Sequence, residues 1–183
     1  YLTGLIDDVR LFTKALSATD VQRIYSEAPQ FMLRLDEAAN ATTFSNNGGG
    51  TNATCSGAAC PKSGVKGQVG LAAQFDGVND ALSASGLNLA NQSFTVAFWA
   101  KRTAPNRADF AIGHGVAGFS SGLAIGFRDN NVFTCAFGSN DLNTVDQYTD
   151  TNWNQWVCVY DAATKQRALY RNGALVIQDV ASA

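Results

Sequence analysis

Most apolar residues of this chain stand in short blocks with period two, separated by turn residues, and one stretch alone carries helical spacing. Ser93 to Lys101 sets Phe94, Val96 and Phe98 on one face and Thr95, Ala97 and Trp99 on the other. Both faces carry apolar bulk, so the pattern predicts a central strand with Trp99 in the core. Gly70 to Phe75 reads as a buried strand, and Asp76-Gly77 as the turn of a hairpin whose second arm runs through Leu82. Further strands are predicted at Phe31 to Leu35, from Phe110 to Ile112, and at Gly122 to Arg128 and Val132 to Phe137 about the turn Asp129-Asn130-Asn131. The series ends with Trp153 to Tyr160, Arg167 to Tyr170 and Ala174 to Gln178, the last two joined by Arg171-Asn172-Gly173. The helical stretch is Ser17 to Tyr25, which Ser17 can cap and whose apolar stripe is Val21, Ile24 and Tyr25; Pro29 forbids its continuation. Just before it, Gly4 to Phe12 has strand character, with Ile6, Val9 and Leu11 around the pair Asp7-Asp8.

Asn40 to Thr54, Thr103 to Asp109 and Asn140 to Thr151 are polar and predict loops. The glycine patches at Gly48-Gly49-Gly50 and Gly113 to Gly118 do not lie between a strand and a helix, so they are loops and not phosphate cradles. His114, the sole histidine, sits in the second patch and is expected on a surface loop, without partners for a Ser-His-Asp triad. A net charge of −2 with a pI near 5.2 offers no basic surface for nucleic acid or anionic lipid. No apolar run approaches the roughly 20 residues of a membrane helix, so membrane insertion is not expected, and the opening residues lack the basic start and apolar core of a signal peptide.

Four cysteines allow three pairings. Cys55 and Cys60 bracket Ser56-Gly57-Ala58-Ala59, a loop of small residues that a disulfide would pin. Cys135 and Cys158 lie in two strand-like segments, where a bridge between neighbouring strands is expected. A zinc site would need further thiolates or histidines. Disulfides imply an oxidising, extracellular compartment.

The motif "GLIDDVRLFTKALSATDVQRIY" resembles the last strand and terminal helix of laminin G-like, or concanavalin A-like, jelly-roll domains of the bacterial extracellular type. "FMLRLDEA", "LAAQFDGVNDALSAS", "SFTVAFWAKR", "WNQWVCVYD" and "ALYRNGALV" resemble, in that order, the opening and middle strands of the same family. The resemblance implies an all-β fold, a two-sheet antiparallel jelly-roll sandwich with one short helix. Its frame divides the chain into residues 1–28, the closing strand and helix of a unit, and residues 29–183, a jelly-roll domain lacking its last strand. Either the first segment closes its own domain, as in a circular permutant, or it completes a preceding unit while another copy supplies the strand missing here. The short link Ser26 to Gln30 favours the second.

The relatives commonly hold a structural Ca²⁺ near the closing strand, which implies oxygen donors from Asp7, Asp8, Asp36 or Glu37, and Asp76. The alternative is that Asp7 and Asp8 pair with Arg10 or Arg34 and that Asp76 caps its turn. The resembling glucanases place two glutamates four residues apart on one strand, whereas this chain has only Glu27 and Glu37, so no enzyme is expected. Sugar binding in this fold relies on rings and amides, which points to Tyr148, Trp153, Asn154 and Gln155, with Trp156 beside them. The relatives often carry a Trp and two histidines where this chain has Trp153-Asn154-Gln155. The expected function is a non-catalytic extracellular binding or adhesion module of a tandem-repeat surface protein, with neighbouring copies head to tail and carbohydrate as partners. The rivals are a structural repeat of a filament or surface layer, and an ancillary domain of a secreted glycanase.

Overall fold

The structure, a computed structural model, describes residues 29–116, 118 and 121–182; the expected strand at Gly4 to Phe12 and the helix after it lie outside these residues. The strands in chain order are β1 (Thr43–Phe44), β2 (Ala53–Thr54), β3 (Lys62–Lys66), β4 (Leu71–Gln74), β5 (Phe94–Ala100) and β6 (Asp109–Gly115). They continue with β7 (Gly122–Phe127), β8 (Phe133–Ala136), β9 (Asp141–Asn143), β10 (Asn154–Tyr160), β11 (Gln166–Arg171) and β12 (Ala174–Val180). Two four-stranded antiparallel sheets, β12-β11-β10-β5 and β6-β7-β8-β9, form a sandwich, and β1-β2 and β3-β4 are two small ribbons. The all-β, two-sheet architecture is the one expected.

Strand alternation decides what each sheet buries. From one sheet Trp156, Cys158 and Leu169 point inward, and from the other Ile125, Phe127, Phe133, Cys135 and Leu142, all fully or almost fully buried. Phe133 stacks on Trp156 at 4.0 Å between ring centroids, and Phe127 meets both edge-on. Offset-stacked and edge-to-face pairs of this kind add about 1 kcal/mol each beyond the area they bury. The turns follow from residues that tolerate positive φ: Asn131 at 65° between β7 and β8, and Asn172 at 50° with Gly173 at 81° between β11 and β12.

Both disulfides form, Cys55–Cys60 pinning a short 3₁₀ turn at Gly57–Ala59 as expected. Cys135–Cys158 corrects the expectation of a bridge between neighbouring strands. It runs from β8 in one sheet to β10 in the other, so it crosses the core and ties the two layers together.

Four further readings change. The partner of β4 is β3, upstream, and the stretch from Val78 to Leu82 pairs as no strand. Asp76 turns the chain locally instead, accepting the N–H groups of Val78 and Asn79. Phe31 to Leu35 contributes one bridge, Leu33 to Asn46, because Leu35 takes a positive φ of 60° that ends any extended run. His114 belongs to β6, with its Nε2 3.0 Å from the Leu87 carbonyl, so Gly113 to Gly115 of the glycine patch is strand, while Val116 and Gly118 lie outside it. The polar run from Asn140 holds the short strand β9, which pairs with β8.

The sandwich has two unlike sides. Along one, β12 lies against β9, and Arg167 joins them: its guanidinium donates to both Asp179 carboxylate oxygens and to the Asn140 carbonyl, and it stacks over Phe137. The other side has β5 in one sheet and β6 in the other. There β5, expected to be central, has a single partner strand, β10, among the described residues, and Trp99 is 42% exposed on the outer face instead of in the core. Leu89, on the segment leading into β5, packs against the core at this side, yet Phe94, Val96 and Phe98 stay only half-buried although they point inward.

Candidate functional site

The expected sugar-binding residues gather at one end of the β10-β11 pair and are tied up with one another. Asn154 is buried; its amide nitrogen donates to Asp150 and to the Asn152 carbonyl, while its oxygen accepts from Arg171 and Asn172. Both ends of the amide are thereby saturated. Arg171 also donates to Asp150 at 2.6 Å and stacks over Tyr148, whose ring packs edge-on against Trp156. Burial pushes the Asp150 carboxyl up, but the hydrogen bonds from Asn154 and the Asn152 N–H and the charge of Arg171 outweigh it and hold it below the usual carboxylate value. Burial, with the nearby Asp146 charge, raises the Tyr148 hydroxyl. Trp153 is half-buried, and Gln155 pairs with Trp99 across the outer face of the sheet. This constellation fixes the end of the sheet; of the four, Gln155 alone stands directly beside an exposed ring.

Asp36 accepts the Leu71 N–H at 2.6 Å, and Asp76 is held below the ordinary carboxylate value chiefly by the Val78 N–H. Among the described residues no three carboxylates, histidines or thiols come together as a metal cluster, and Asp7 and Asp8 lie outside those residues. Asp36 and Asp76 therefore do not by themselves fit a calcium ion, which needs six to eight oxygens. The strand-borne acids are held by arginines: Asp109 by Arg102 and Arg107, Asp141 by Arg128, and Asp179 by Arg167. Glu37 accepts the Ser45 N–H, and Glu27 lies outside the described residues.

What the sequence reading missed lies on the outer face of the β6-β9 sheet. Because Ile125, Phe127, Phe133 and Cys135 point into the core, their alternates point out. Register places Phe110, Gly126, Thr134 and Asn143 in one row across the four strands, and Gly113, Ala124, Ala136 and Asp141 in the next. The floor is made of small residues. A Cβ on Gly126 would come within 2.3 Å of the Asp109 carbonyl, so only glycine fits there. A groove of about 600 Å³ results, with Phe110 at one side and the Arg128–Asp141 ion pair at the other. No motif marks this face, since its residues come from four separate strands.

Against known proteins, the laminin G-type model of the concanavalin A-like lectin/glucanases superfamily matches residues 76–182. That is more than half of the chain, and the chain belongs to this superfamily. Among solved structures it is similar to residues 221–444 of an S-layer domain-containing protein from Clostridium thermocellum, with 19% identity and a TM-score of 0.51 over 81% of this chain and 71% of that one. At that identity the likeness is one of fold. No curated protein matches in sequence.

Proposed function

We propose that the chain is a non-catalytic extracellular module of a repeat-built surface protein, in which the strand read at Gly4 to Phe12 of one copy completes the β5 edge of the copy before it. The observation that supports this reading is the mismatch between β5's composition and its place. A strand with apolar bulk on both faces is built to be flanked on both edges, and among the described residues nothing pairs with its free edge. Leu5 to Phe12 carries the apolar residues to extend that sheet, and added strands gain affinity from main-chain hydrogen bonds. Two disulfides suit an oxidising exterior. The S-layer domain-containing protein of the same fold suits a place in a surface array.

Sedimentation and hydrogen exchange together test the reading. The expected result is association that grows with concentration, with the β5 amides protected in the associated form and exchanging fast when dilute. Val9→Pro, which removes a strand N–H, should keep the chain monomeric and leave β5 unprotected. A chain that is monomeric at every concentration, whether β5 is protected by its own segment or stays open, would overturn assembly between copies.

A further inference from the structure

We infer that the acceptor for the incoming strand is a slot with two edges: Leu5 to Phe12 of the following copy lies between β5 and β4 and pairs with both. The slot presupposes the assembly proposed above and adds a second wall to its acceptor.

The mismatch seen in β5 recurs in β4. Gly70 to Phe75 has the composition of a buried strand, yet Leu71 is 37% and Phe75 44% exposed, and among the described residues β4 pairs with β3 alone. Hydrogen bonding shows which edge is open. Leu71 stands opposite Lys66, but its N–H donates to the Asp36 carboxylate at 2.6 Å and so points away from β3. By alternation the Ala73 N–H points the same way, toward an edge that no strand among the described residues covers.

Both open edges leave from one place. Gly77, three residues beyond β4, lies against the Arg107 guanidinium, and Arg102, two residues beyond β5, donates to the Arg107 carbonyl at 2.9 Å. Two strands whose C-terminal ends converge there run the same way when side by side. Every strand pair among the described residues is antiparallel, and one strand laid between β4 and β5, antiparallel to each, keeps that alternation. The chain linking β4 to β5 passes along β6, where His114 meets the Leu87 carbonyl, and makes no bridge to either free edge.

Charge sets the direction of the incoming strand. Where β4 and β5 converge stand the exposed Lys101 and the partly exposed Arg107, while the other end of β4 carries the exposed Asp36. An antiparallel Leu5 to Phe12 brings Asp7 and Asp8 toward the cations and Arg10 toward Asp36; the reverse direction would set like charges together.

Hydrogen exchange of the intact chain over a range of concentrations, read by mass spectrometry, tests the slot. The amides of Leu71 to Phe75 should gain at least about tenfold protection over the same concentrations as those of β5. Protection gained by β5 without β4 would overturn the slot while leaving strand addition at β5 in place. Exchange of both strands that is the same at every concentration would overturn the assembly and the slot together. Ala73→Pro, which removes an N–H from the β4 edge, should weaken association by at least about tenfold, and association as tight as the parent's would overturn the slot. Two variants that leave β4 untouched check the direction: Asp8→Lys and Lys101→Glu should each weaken association by about tenfold, and an equimolar mixture should restore it, because every incoming strand then finds an acceptor of opposite charge. A mixture no tighter than either variant alone would overturn the antiparallel placement.

Discussion

The two sides of the sandwich are held by different physics. At the β9/β12 side a buried guanidinium satisfies a carboxylate and a main-chain carbonyl at once, and Asn140 donates to the Ser182 carbonyl, so the layers are joined by specific polar contacts. At the β5/β6 side the layers are pinned at one end by Arg102. That side chain is buried, binds Asp109, Asn131 and two main-chain carbonyls, and lies over Phe127. Beyond that pin, the inward-pointing rings of Phe94 and Phe98 stay partly exposed. A sandwich can thus be sealed by charge at one margin while leaving hydrophobic stabilisation unused at the other.

The sharpest way to break this comparison is to make the same truncation on both sides. Phe133→Ala, in the buried centre, should cost about 4 kcal/mol, while Phe98→Ala, which touches it from β5, should cost roughly half as much in the dilute chain, because part of its ring is already hydrated. Equal losses in urea denaturation would show that β5 is covered. The sealed side is probed next: Arg167→Ala should cost about 2 to 3 kcal/mol, since it removes a buried donor from the Asn140 carbonyl and leaves a half-buried Asp179 without its arginine, and its effect should not change with concentration.

Much of this was legible in the sequence, and the failures have one cause. Asn172-Gly173 and Asp129-Asn130-Asn131 announce turns because local sterics alone choose them, and period two in Trp153 to Tyr160 announces a strand. By contrast, β3 is Lys-Ser-Gly-Val-Lys, with little β-forming composition, and it is a strand because β4 needs a partner. Trp99 looks like core because period two says which residues share a face but not which face has a neighbour. The bridge from Cys135 to Cys158 was readable as a pair but not as a tie between layers. Asn154 carries no sign in the sequence that all its hydrogen-bonding capacity is spent inside the fold.

The smallest expected effect concerns that same end of the sheet. Asp150 has a lowered carboxyl pKa in the folded chain, so its contribution is intact above the ordinary value of 3.8 and is lost as pH falls from there through the lowered value. Asp150→Asn should cost about 1 kcal/mol at neutral pH. The gap between variant and parent should narrow as pH falls below 3.8, as read by urea melts at neutral pH and at pH 3; a gap of constant size would remove Asp150 from the acid response.

The bridge between the layers also sets how the chain behaves under tension. Residues 135 and 158 are separated by 23 positions in sequence, and their Cα atoms lie 6.3 Å apart. Fully drawn out, that length of chain would span about 80 Å. A pull on the two ends passes through the sulfur atoms and bypasses the loop between them, so β9 and the turn regions on either side of it bear no load while the bond is oxidised. The redox state of one buried bond therefore fixes how far the sandwich can stretch before it breaks.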